Sequence, residues 1–235
     1  MNSSLAVSII IPARNESQNI ESVVLRIQRL VTCDFECLIV VDDSDDSTCG
    51  PMKKIIEKDD RFKIIINQKG KTPALAIRSG IESSLNNTIA VTMADGSDDP
   101  AAINKLVELV NRGVVVAAAS RYMAGGQQVG VSGLKPFLSK IAGLTLYHLA
   151  RVGTHDATNS FKAYDKNFIN KVGIESIYGF EIGLELTAKA RRYRLQVAEL
   201  PTIWIERHTG TSNFNLFKWI PKYLKWYIYA FGRRK

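Results

Sequence analysis

The sequence lacks the patterns of a membrane-spanning, secreted or fibrous protein. No apolar run reaches the roughly 20 residues that a spanning helix needs, and the first apolar run, Val7–Ile11, is not preceded by the basic region of a secretory signal. The three cysteines, Cys33, Cys37 and Cys49, are odd in number and fit no zinc spacing. The 235 residues, 46% hydrophobic and 23% charged, therefore predict an ordinary globular protein in a reducing, cytoplasmic setting.

The sequence also lacks two common nucleotide-binding loops. No Gly-x-Gly-x-x-Gly follows the first apolar run, and Gly70-Lys71-Thr72 only imitates a P-loop, because Ile65 stands where the first glycine should be. No linker rich in proline, glycine or serine and no internal repeat divides residues 1–120. We therefore expect one domain there.

The positive charge is concentrated at one end of the chain. The net charge is +8, yet residues 1–188 carry 20 basic and 21 acidic side chains. From Lys189 onward, 11 basic residues are accompanied only by Glu199 and Glu206. Such asymmetry indicates an anionic partner for that end, which could be a membrane surface, a nucleic acid or a phosphorylated substrate.

Short β-branched runs alternate with helical patterns along residues 1–120, which is typical of βαβ units on a mainly parallel sheet. The predicted strands are Val7–Ile11, Glu36–Val41, Phe62–Ile66, Thr88–Met93 and Val114–Ala119. Helices are predicted over residues 20–30, 50–58, 72–84, 100–111, 135–150 and 179–192, with a flexible loop at 125–133 and an extended run at 195–205. These elements predict an α/β fold with helices on both faces of the sheet.

Polar residues follow four of the predicted strands. The polar segments begin at Pro12, Asp42, Ala94 and Ser120. Because ligands bind outside the carboxyl ends of the strands in an open parallel sheet, we expect the four segments to line a single cleft.

Two of these segments are strongly acidic. Carboxylates that crowd one edge of a sheet repel each other unless a cation or a hydrogen-bond donor lies between them. Mg²⁺ or Mn²⁺ takes one or two carboxylates together with phosphate oxygens, which suits a site for a diphosphate. The alternative is that such clusters only form turns and helix caps, which we favour for Asp45, Asp46 and Asp98. Asp43 and Asp95, which converge from adjacent loops, are expected to be functional.

Together these segments resemble a known family. They read Pro12-Ala13-Arg14-Asn15-Glu16, Val40-Val41-Asp42-Asp43-Ser44, Gly70-Lys71, Ala94-Asp95-Gly96-Ser97 and Ser120-Arg121-Tyr122. The second half adds Asp156-x-Thr158-Asn159-Ser160-Phe161-Lys162, Gly179-Phe180-Glu181 and Glu206-Arg207-x-x-Gly210-x-Ser212-Asn213. In this order they resemble the family 2 glycosyltransferases, which have the nucleotide-diphospho-sugar transferase fold called GT-A. Over nearly the whole chain the resemblance is to dolichyl- or polyprenyl-phosphate mannosyltransferases.

The resemblance implies roles for individual residues. It implies nucleotide-sugar binding by Pro12, Arg14, Glu16, Val41, Asp43, Lys71, Met93, Ala94 and Asp95. It implies acceptor or phosphate binding by Arg121, Lys135, Lys162, Arg207 and Asn213. It further implies catalytic roles for Asp95, Arg121 and Glu181, and a Mg²⁺ or Mn²⁺ ion bound by Asp95 with Ser97. Asp156 and Glu181 would shape the sugar end of the cleft.

Four positions depart from the family pattern. Arg14 stands where the family often has an aromatic residue after the proline of the first strand. Met93 stands where an aspartate is usual, and because a thioether does not bind a hard cation, the metal site is expected to be weaker. Lys162 replaces an arginine. Asn213 replaces a phosphate-binding lysine.

The resemblance implies transfer of a hexose, with inversion, from a nucleotide diphosphate sugar to a lipid phosphate, and it favours GDP-mannose as the donor. A lipid phosphate is already ionised at neutral pH, so alignment suffices and no general base is required. A sugar or protein hydroxyl as acceptor would need a carboxylate base, for which we nominate Glu181. Two alternatives stay open, a family 2 transferase that acts on a glycan or polysaccharide and a non-catalytic nucleotide-sugar-binding relative.

The C-terminal segment, residues 214–235, differs from the catalytic domain predicted over residues 1–213. It combines bulky apolar and aromatic residues with a basic stripe of Lys218, Lys222 and Lys225. That composition fits a helix in the interface of a bilayer, which would make the protein peripheral on the cytoplasmic face of a membrane. The alternative is an amphipathic helix packed on the domain or on a partner subunit. A nucleic-acid partner is not expected, because it would leave the acidic cleft unexplained.

Overall fold

A seven-stranded sheet forms the centre of the protein in a computed structural model. The structure describes residues 6–131, 133–206 and 216–233, with all side chains in these ranges except those of residues 135 and 216–218. The described strands are β1 (Ala6–Pro12), β2 (Asp34–Val41), β3 (Phe62–Ile66), β4 (Thr88–Val91), β5 (Val116–Ser120), β6 (Gln127–Val129), β7 (Lys162–Asp165), β8 (Val197–Pro201) and β9 (Ile203–Ile205).

The central sheet has the order β3-β2-β1-β4-β7-β5-β8, and β6 pairs with β9 in a separate small sheet. Neighbouring strands are parallel except at β7, which runs antiparallel between β4 and β5. The central strands are nearly continuous apolar runs, as expected of strands that are covered on both faces. The predicted α/β class with a mainly parallel sheet is confirmed.

Helices cover both faces of this sheet. The described helices are α1 (Ile20–Leu30), α2 (Cys49–Ile56), α3 (Pro73–Ser83), α4 (Ala102–Asn111), α5 (Leu134–Thr145), α6 (Lys166–Val172), α7 (Glu181–Arg192) and α8 (Leu216–Ala230). Helix α5 continues into a π-helical turn, Leu146–Ala150. The side chains of α1, α2 and α4 form the core on one face, and those of α3, α6 and α7 form it on the other. None of the helices in the described ranges is long and apolar enough to cross a bilayer.

Three elements differ from the sequence prediction. The antiparallel strand β7 is not among the predicted strands, and helix α6 was not predicted either. Part of the expected flexible loop at 125–133 forms β6, because its backbone pairs with β9, some 75 residues later in the chain. Each of these elements depends on a partner that is distant in sequence, which local patterning does not reveal.

One face of α8 belongs to the hydrophobic core. Trp226 and Ala230 are buried in a cluster with Leu146 of the π-helical turn and Leu184 of α7. The hydroxyl of Tyr227 also forms a hydrogen bond with Thr145 Oγ1 at 2.9 Å. The C-terminal helix is therefore packed on the domain through its inner face, and only its outer face is open to another partner.

Candidate functional site

The candidate site lies at the carboxyl edge of the sheet. Because β1 pairs with β2 on one side and β4 on the other, the loops that follow these three strands are neighbours. Pro12 and Val41, both buried, end β1 and β2 at this edge. Lys162, which begins the antiparallel β7, pairs with Val91 of β4 and Ala118 of β5. The structure thus brings the predicted polar segments to one edge, where open α/β sheets bind ligands.

Charged side chains alternate in sign at the β2 end of this edge. Lys71 Nζ lies 3.0 Å from Asp43 Oδ2, and both side chains are exposed. The hydrogen bond from Lys71 holds the pKa of Asp43 below its ordinary value. Nearby, Arg14 Nε lies 3.8 Å from Asp42 Oδ2. A polar ligand can therefore find both donors and acceptors on this part of the surface.

Asp46 ties the loops after β1 and β2 together. Its carboxylate accepts hydrogen bonds from the amide of Asn15 at 3.1 Å and from the hydroxyl of Thr48 at 2.6 Å. The amide of Glu16 donates to Thr48 Oγ1 at 3.0 Å, and the Glu16 carboxylate accepts from Asn19 at the start of α1. The interpretation of Asp46 as a turn-forming residue is confirmed.

The loop after β4 presents Asp95 on a tight turn. Asp95 Oδ1 accepts hydrogen bonds from the amide of Ser97 at 3.1 Å and from its hydroxyl at 2.6 Å. Ala94 is buried, whereas Met93 and Asp95 are partly exposed. The amide of Ile205 in β9 donates to the carbonyl of Ser97 at 3.1 Å. The Asp95 carboxylate and the Ser97 hydroxyl are therefore held side by side.

Asp98 lies beneath the same loop. Its Oδ2 accepts hydrogen bonds from the Thr92 hydroxyl at 3.0 Å and the Met93 amide at 3.1 Å, which is the turn-forming role predicted for it. Its Oδ1 is buried and has no hydrogen-bond partner among the described residues. Burial, followed by the charge of Asp95, raises the pKa of Asp98 to about 7. A positive group close to Asp95 would relieve this repulsion.

The oxygens of Asp95 and Ser97 fit a divalent cation that arrives with a diphosphate. A carboxylate and a hydroxyl are hard ligands, and Mg²⁺ or Mn²⁺ completes its shell with phosphate oxygens and water. Met93 supplies no second carboxylate at this point. In the part of the chain that the structure describes, no group of three or more His, Cys, Asp or Glu side chains is arranged to hold a metal. The residues therefore fit a cation shared with its ligand rather than a preformed metal centre.

Arg121 and Asp156 form a buried ion pair at the β5 end of the edge. The Asp156 carboxylate accepts from the Nε (2.7 Å), the Nη2 (2.9 Å) and the backbone amide (3.0 Å) of Arg121. Burial alone would raise the pKa of Asp156, but the charge of Arg121 holds it below its usual value. Within the described ranges, Arg121 Nη1 makes no hydrogen bond. Asp156 thus fixes the guanidinium of Arg121, whose side chain keeps 11% of its surface exposed.

Lys162 does not reach the surface of the cleft. It is fully buried, and its Nζ donates to the carbonyls of Ala157 at 3.2 Å and of Asn159. Burial, offset only in part by Asp156, lowers the pKa of Lys162 to about 7. A side chain without exposed surface cannot contact a phosphate, so the predicted phosphate-binding role of Lys162 is corrected. It binds the backbone behind the cleft instead.

Glu181 is also engaged within the protein. It is 1% exposed, and its carboxylate accepts hydrogen bonds from the amides of Tyr178 at 3.1 Å and Gly179 at 2.7 Å. The side chain therefore holds the turn that leads into α7. A buried carboxylate with both oxygens bound in this way is not placed to take a proton from an acceptor, which argues against the predicted general base.

The segment between α6 and α7 joins the cleft to the C-terminal helix, a link that no local sequence pattern indicates. The hydroxyl of Thr72, next to Lys71, donates to the carbonyl of Ile177 at 2.7 Å. The ring of Trp219 lies against Gly179, where an added Cβ would be 2.1 Å from Cζ3 of the indole. Helix α8 thus packs on a segment that also contacts the loop of Lys71.

The side chains of three predicted acceptor-binding residues are not among those that the structure describes. Arg207 and Asn213 fall outside the described residues, and of Lys135 only the backbone, in the first turn of α5, is described. Their predicted roles therefore stay predictions.

Comparison with known proteins identifies the family. Residues 8–173 match the sequence model of Glycosyl transferase family 2. The chain belongs to this family. The acidic loops of this glycosyltransferase and its Arg121–Asp156 ion pair lie within the residues that match the family model.

Two relatives of this glycosyltransferase are mannose-transferring enzymes by name. It is 27% identical over 214 residues to the polyprenol monophosphomannose synthase of Mycolicibacterium smegmatis, which covers 88% of this chain and 80% of that protein. It is 28% identical over 235 residues to the dolichol-phosphate mannosyltransferase of Pyrococcus furiosus, which covers 94% of this chain and 64% of that protein. The chain thus spans less than two thirds of the Pyrococcus relative. The predicted resemblance to dolichyl- and polyprenyl-phosphate mannosyltransferases is confirmed.

Solved structures share the architecture of this glycosyltransferase. Glucosyl-3-phosphoglycerate synthase from Mycobacterium tuberculosis, in complex with Mn²⁺, uridine diphosphate and glucosyl-3-phosphoglycerate, superposes with a TM-score of 0.70 at 15% identity, over 98% of this chain and 81% of that chain. Mannosyl-3-phosphoglycerate synthase from Rubrobacter xylanophilus gives a TM-score of 0.67 at 15% identity, over 96% of this chain and 72% of that one. Such low identities show the fold alone, which is the predicted GT-A fold.

Proposed function

We propose that this family 2 glycosyltransferase moves a hexose, with mannose favoured, from a nucleotide diphosphate sugar to a polyprenyl or dolichyl phosphate, with inversion at the anomeric carbon. The names of the two relatives support the sugar and the class of acceptor. One observation carries the proposal, namely that the Asp95–Ser97 oxygens and the fixed Arg121 guanidinium share one sheet edge. Asp95 raises and Arg121 lowers the pKa of Asp98, so both lie within electrostatic reach of it.

The nucleoside of the donor, for which GDP-mannose is favoured, would lie over the ends of β1 and β2. Pro12 and Val41 form buried strand ends there, and Arg14 and Asp43 stand at the rim. Lys71 would accompany Asp43 and bring a positive charge toward the phosphates. This division leaves the loop after β4 for the diphosphate.

Charge that develops on the leaving diphosphate is the main demand of this reaction. Asp95 and Ser97 would hold Mg²⁺ or Mn²⁺, and a bound ion of this kind neutralises diphosphate charge and polarises its oxygens. Arg121 adds a second positive charge that Asp156 has already oriented, so little reorganisation accompanies bond cleavage. The remaining task of the site is to align the acceptor with the anomeric carbon.

The position of Glu181 favours a phosphate acceptor over a hydroxyl. A hydroxyl acceptor needs a base within hydrogen-bond reach, whereas a lipid phosphate is already ionised. Glu181, the residue predicted for that role, is buried and bound by two backbone amides. This observation weighs against the alternative of a glycan or polysaccharide acceptor.

A lipid acceptor requires that the protein contact a membrane. The basic stripe of the C-terminal segment was the sequence argument for such contact, and the structure gives its lysines a second role. Two lysines of the predicted basic stripe have partners within the protein. Lys222 Nζ lies 3.9 Å from the ring centroid of Tyr178, and Lys225 Nζ lies 3.2 Å from a carboxylate oxygen of Glu175. The stripe therefore also serves to pack α8, and lysines alone do not carry the membrane proposal.

The outward sides of α5 and α8 carry it instead. Large apolar side chains are exposed on α5 and its π-helical turn, on α8 and directly after α8. We call them the outer apolar face: Leu134, Phe137, Ile141, Leu149, Ile220, Leu224, Ile228 and Phe231. The spacing of those on each helix places them on one side, opposite the side that packs on the domain. The hydrogen bond between Tyr227 and Thr145 joins the two helices, so the two stripes are neighbours.

The charge around the outer apolar face complements an anionic bilayer. Residues 134–151 and 216–235 contain lysine and arginine but no aspartate or glutamate. Exposed apolar surface bordered by basic and aromatic residues is typical of helices in a bilayer interface. We propose that residues 214–235, with α5, hold the catalytic domain of residues 1–213 on the cytoplasmic face of a membrane. The free cysteines Cys33, Cys37 and Cys49 fit that reducing side.

A matrix of donors and acceptors tests the proposal. The protein is incubated with Mn²⁺ or Mg²⁺ and GDP-mannose, UDP-glucose or UDP-N-acetylglucosamine, together with either a short polyprenyl phosphate or an oligosaccharide, and the products are identified by mass spectrometry. A hexosyl-phospho-polyprenol is the expected product. A glycosylated oligosaccharide would support the glycan alternative. Nucleotide-sugar binding in a thermal-shift assay without any transfer would indicate a non-catalytic relative.

A further inference from the structure

Lys162 is a buried lysine for which the proposed reaction has no direct use. It lies at the first residue of β7, between β4 and β5, with no exposed surface. Helix α7 packs beside it, since a Cβ added at Gly183 would lie in ordinary van der Waals contact, 3.5 Å from Lys162 Nζ. A lysine in such a position is unfavourable unless it makes strong interactions.

Lys162 holds the turn that follows Asp156. Its Nζ donates to the carbonyl oxygens of Ala157, at 3.2 Å, and of Asn159. Without this donor both carbonyls would have to find other partners inside the protein, because a buried carbonyl left without a hydrogen bond is costly. Lys162 therefore fixes the course of the backbone on the carboxyl side of Asp156.

Asp156 in turn determines the position of Arg121. Three hydrogen bonds, from the Nε, the Nη2 and the backbone amide of Arg121, end on its carboxylate. Ser139 Oγ lies 3.5 Å from Arg121 Nη2 and 2.7 Å from Thr158 Oγ1, so Ser139 of α5 connects the same turn with the guanidinium. A shift of the turn would move the carboxylate and the guanidinium together.

We propose that Lys162 is a positioning residue. Through the backbone of residues 157–159 it keeps Asp156 in the position from which the Asp156 carboxylate orients Arg121 toward the diphosphate. This inference rests on the proposed transferase function. It also explains how a lysine can stand where the family pattern has an arginine, since either side chain can donate to two carbonyls.

Charge on Lys162 strengthens this hold, because hydrogen bonds from a cation are stronger than those from a neutral amine. The charged groups that face it are Asp156 on its own loop, Arg121 after β5 and Asp98 after β4. Burial lowers the pKa of Lys162 to about 7, within the range of ordinary assays. A pH profile can therefore detect its contribution.

Two substitutions at this position and one matched control test the proposal. Lys162→Met removes the donor at similar volume, whereas Lys162→Arg keeps it. Lys189→Met is the control, because Lys189 is also buried and ion-paired, with Glu185 at 2.7 Å, but lies on α7 away from Arg121. Steady-state transfer gives kcat and the donor KM for each protein.

We expect Lys162→Met to lower kcat about 10- to 100-fold with little change in the donor KM, since a small displacement of a catalytic group has effects of this size. Lys162→Arg should stay within about three-fold of the wild type, and Lys189→Met should keep its kcat whatever stability it loses. The proposal is overturned if a folded Lys162→Met variant keeps the kcat of the wild type, or if Lys189→Met loses as much.

Two further measurements keep the test decisive. If Lys162→Met does not fold, the wild type and Lys162→Arg are compared: kcat of the wild type should fall, relative to that of the variant, as the pH rises through about 7. Identical profiles would overturn the proposal.

If the wild type transfers no sugar at all, the proposed function fails, and hydrogen exchange at the Arg121 amide, bonded to Asp156, still tests the positioning. Exchange should be faster in Lys162→Met and unchanged in Lys189→Met, and equal rates in all proteins would contradict it.

Discussion

The indole of Trp219 and the backbone of Gly179 are packed so closely that no side chain fits between them. A Cβ on Gly179 would lie 2.1 Å from Cζ3 and 2.4 Å from Cη2 of the ring. The amide of the same glycine donates to Glu181, and Ile177, two residues earlier, accepts from Thr72. The C-terminal helix is thereby connected with the loop that carries Lys71. If α8 lies on a membrane, as proposed, this segment would connect the membrane surface with the loop of Lys71.

Gly179→Ala should displace Trp219 and loosen α8. We expect the free energy of unfolding to fall by about 1–3 kcal/mol, the usual cost of forcing an extra methyl group into a packed site. Urea denaturation measures it. In a Trp219→Ala background, which removes the ring, the same change should cost much less. Equal costs in the two backgrounds would show that the contact does not hold the helix.

Asp43→Ala should weaken donor binding without unfolding the protein. The side chain is 49% exposed and its ion pair with Lys71 lies on the surface, so its loss should leave the unfolding temperature nearly unchanged. If Asp43 holds the nucleoside, the donor KM should rise about ten-fold, which is the effect of losing one charged hydrogen bond. Glu82→Ala, which breaks the exposed pair with Lys69, is the matched control and should leave the donor KM unchanged. Similar donor KM values in both variants would remove Asp43 from the site.

Stability should depend on pH through Lys162. In the folded protein Lys162 loses its proton near pH 7, whereas in the unfolded chain it keeps the proton up to its ordinary pKa of 10.5. Between these values the unfolded state binds more protons, so stability rises with pH. The wild type should gain stability relative to Lys162→Met from about pH 7 upward, by at most about 1.4 kcal/mol per pH unit. Urea unfolding measures this difference in stability between the wild type and Lys162→Met. A difference that stays constant between pH 6.5 and 9 would contradict the burial of a titrating lysine.

Binding to lipid vesicles should depend on α5 as much as on α8. Phe137→Ser and Leu224→Ser each place a hydroxyl in the outer apolar face at a side chain that is 59% or 47% exposed. We expect either variant to reduce flotation with vesicles that contain anionic lipid, because apolar burial and basic charge act together there. Leu25→Ser, on exposed surface of α1, is the control. Deleting α8 is a poorer test, since Trp226 belongs to the core. Unchanged flotation of both variants would exclude this face.

Much of the sheet could be predicted because its strands are local apolar runs. Ile9, Ile39 and Val91 lie in such runs, and the residues that follow them reach one edge simply because parallel strands share a direction. Strand β7 is different. Its place between β4 and β5 depends on pairing across more than 40 residues, which a local pattern does not contain.

The roles of individual site residues were less predictable than their positions. Lys162 and Glu181 belong to the motifs that resemble the family, yet one binds carbonyls and the other binds amides inside the protein. Their burial depends on packing against α7 and against the turn after Asp156. Such packing joins distant parts of the chain, and a local sequence pattern does not show it. Asp46 and Asp98 were predicted correctly as turn-forming residues because their partners are only a few residues away or on the adjacent loop.

Transfer by Asp95→Ala tests the central claim most directly. The wild type and the variant are assayed with saturating GDP-mannose, a short polyprenyl phosphate and Mn²⁺, and the mannosyl-phospho-polyprenol formed per minute is measured. If Asp95 and Ser97 hold the cation that neutralises the leaving diphosphate, the variant should lose at least about 100-fold in kcat, as is usual when a main electrostatic contact is removed. A variant that stays within a few-fold of the wild type would contradict the account.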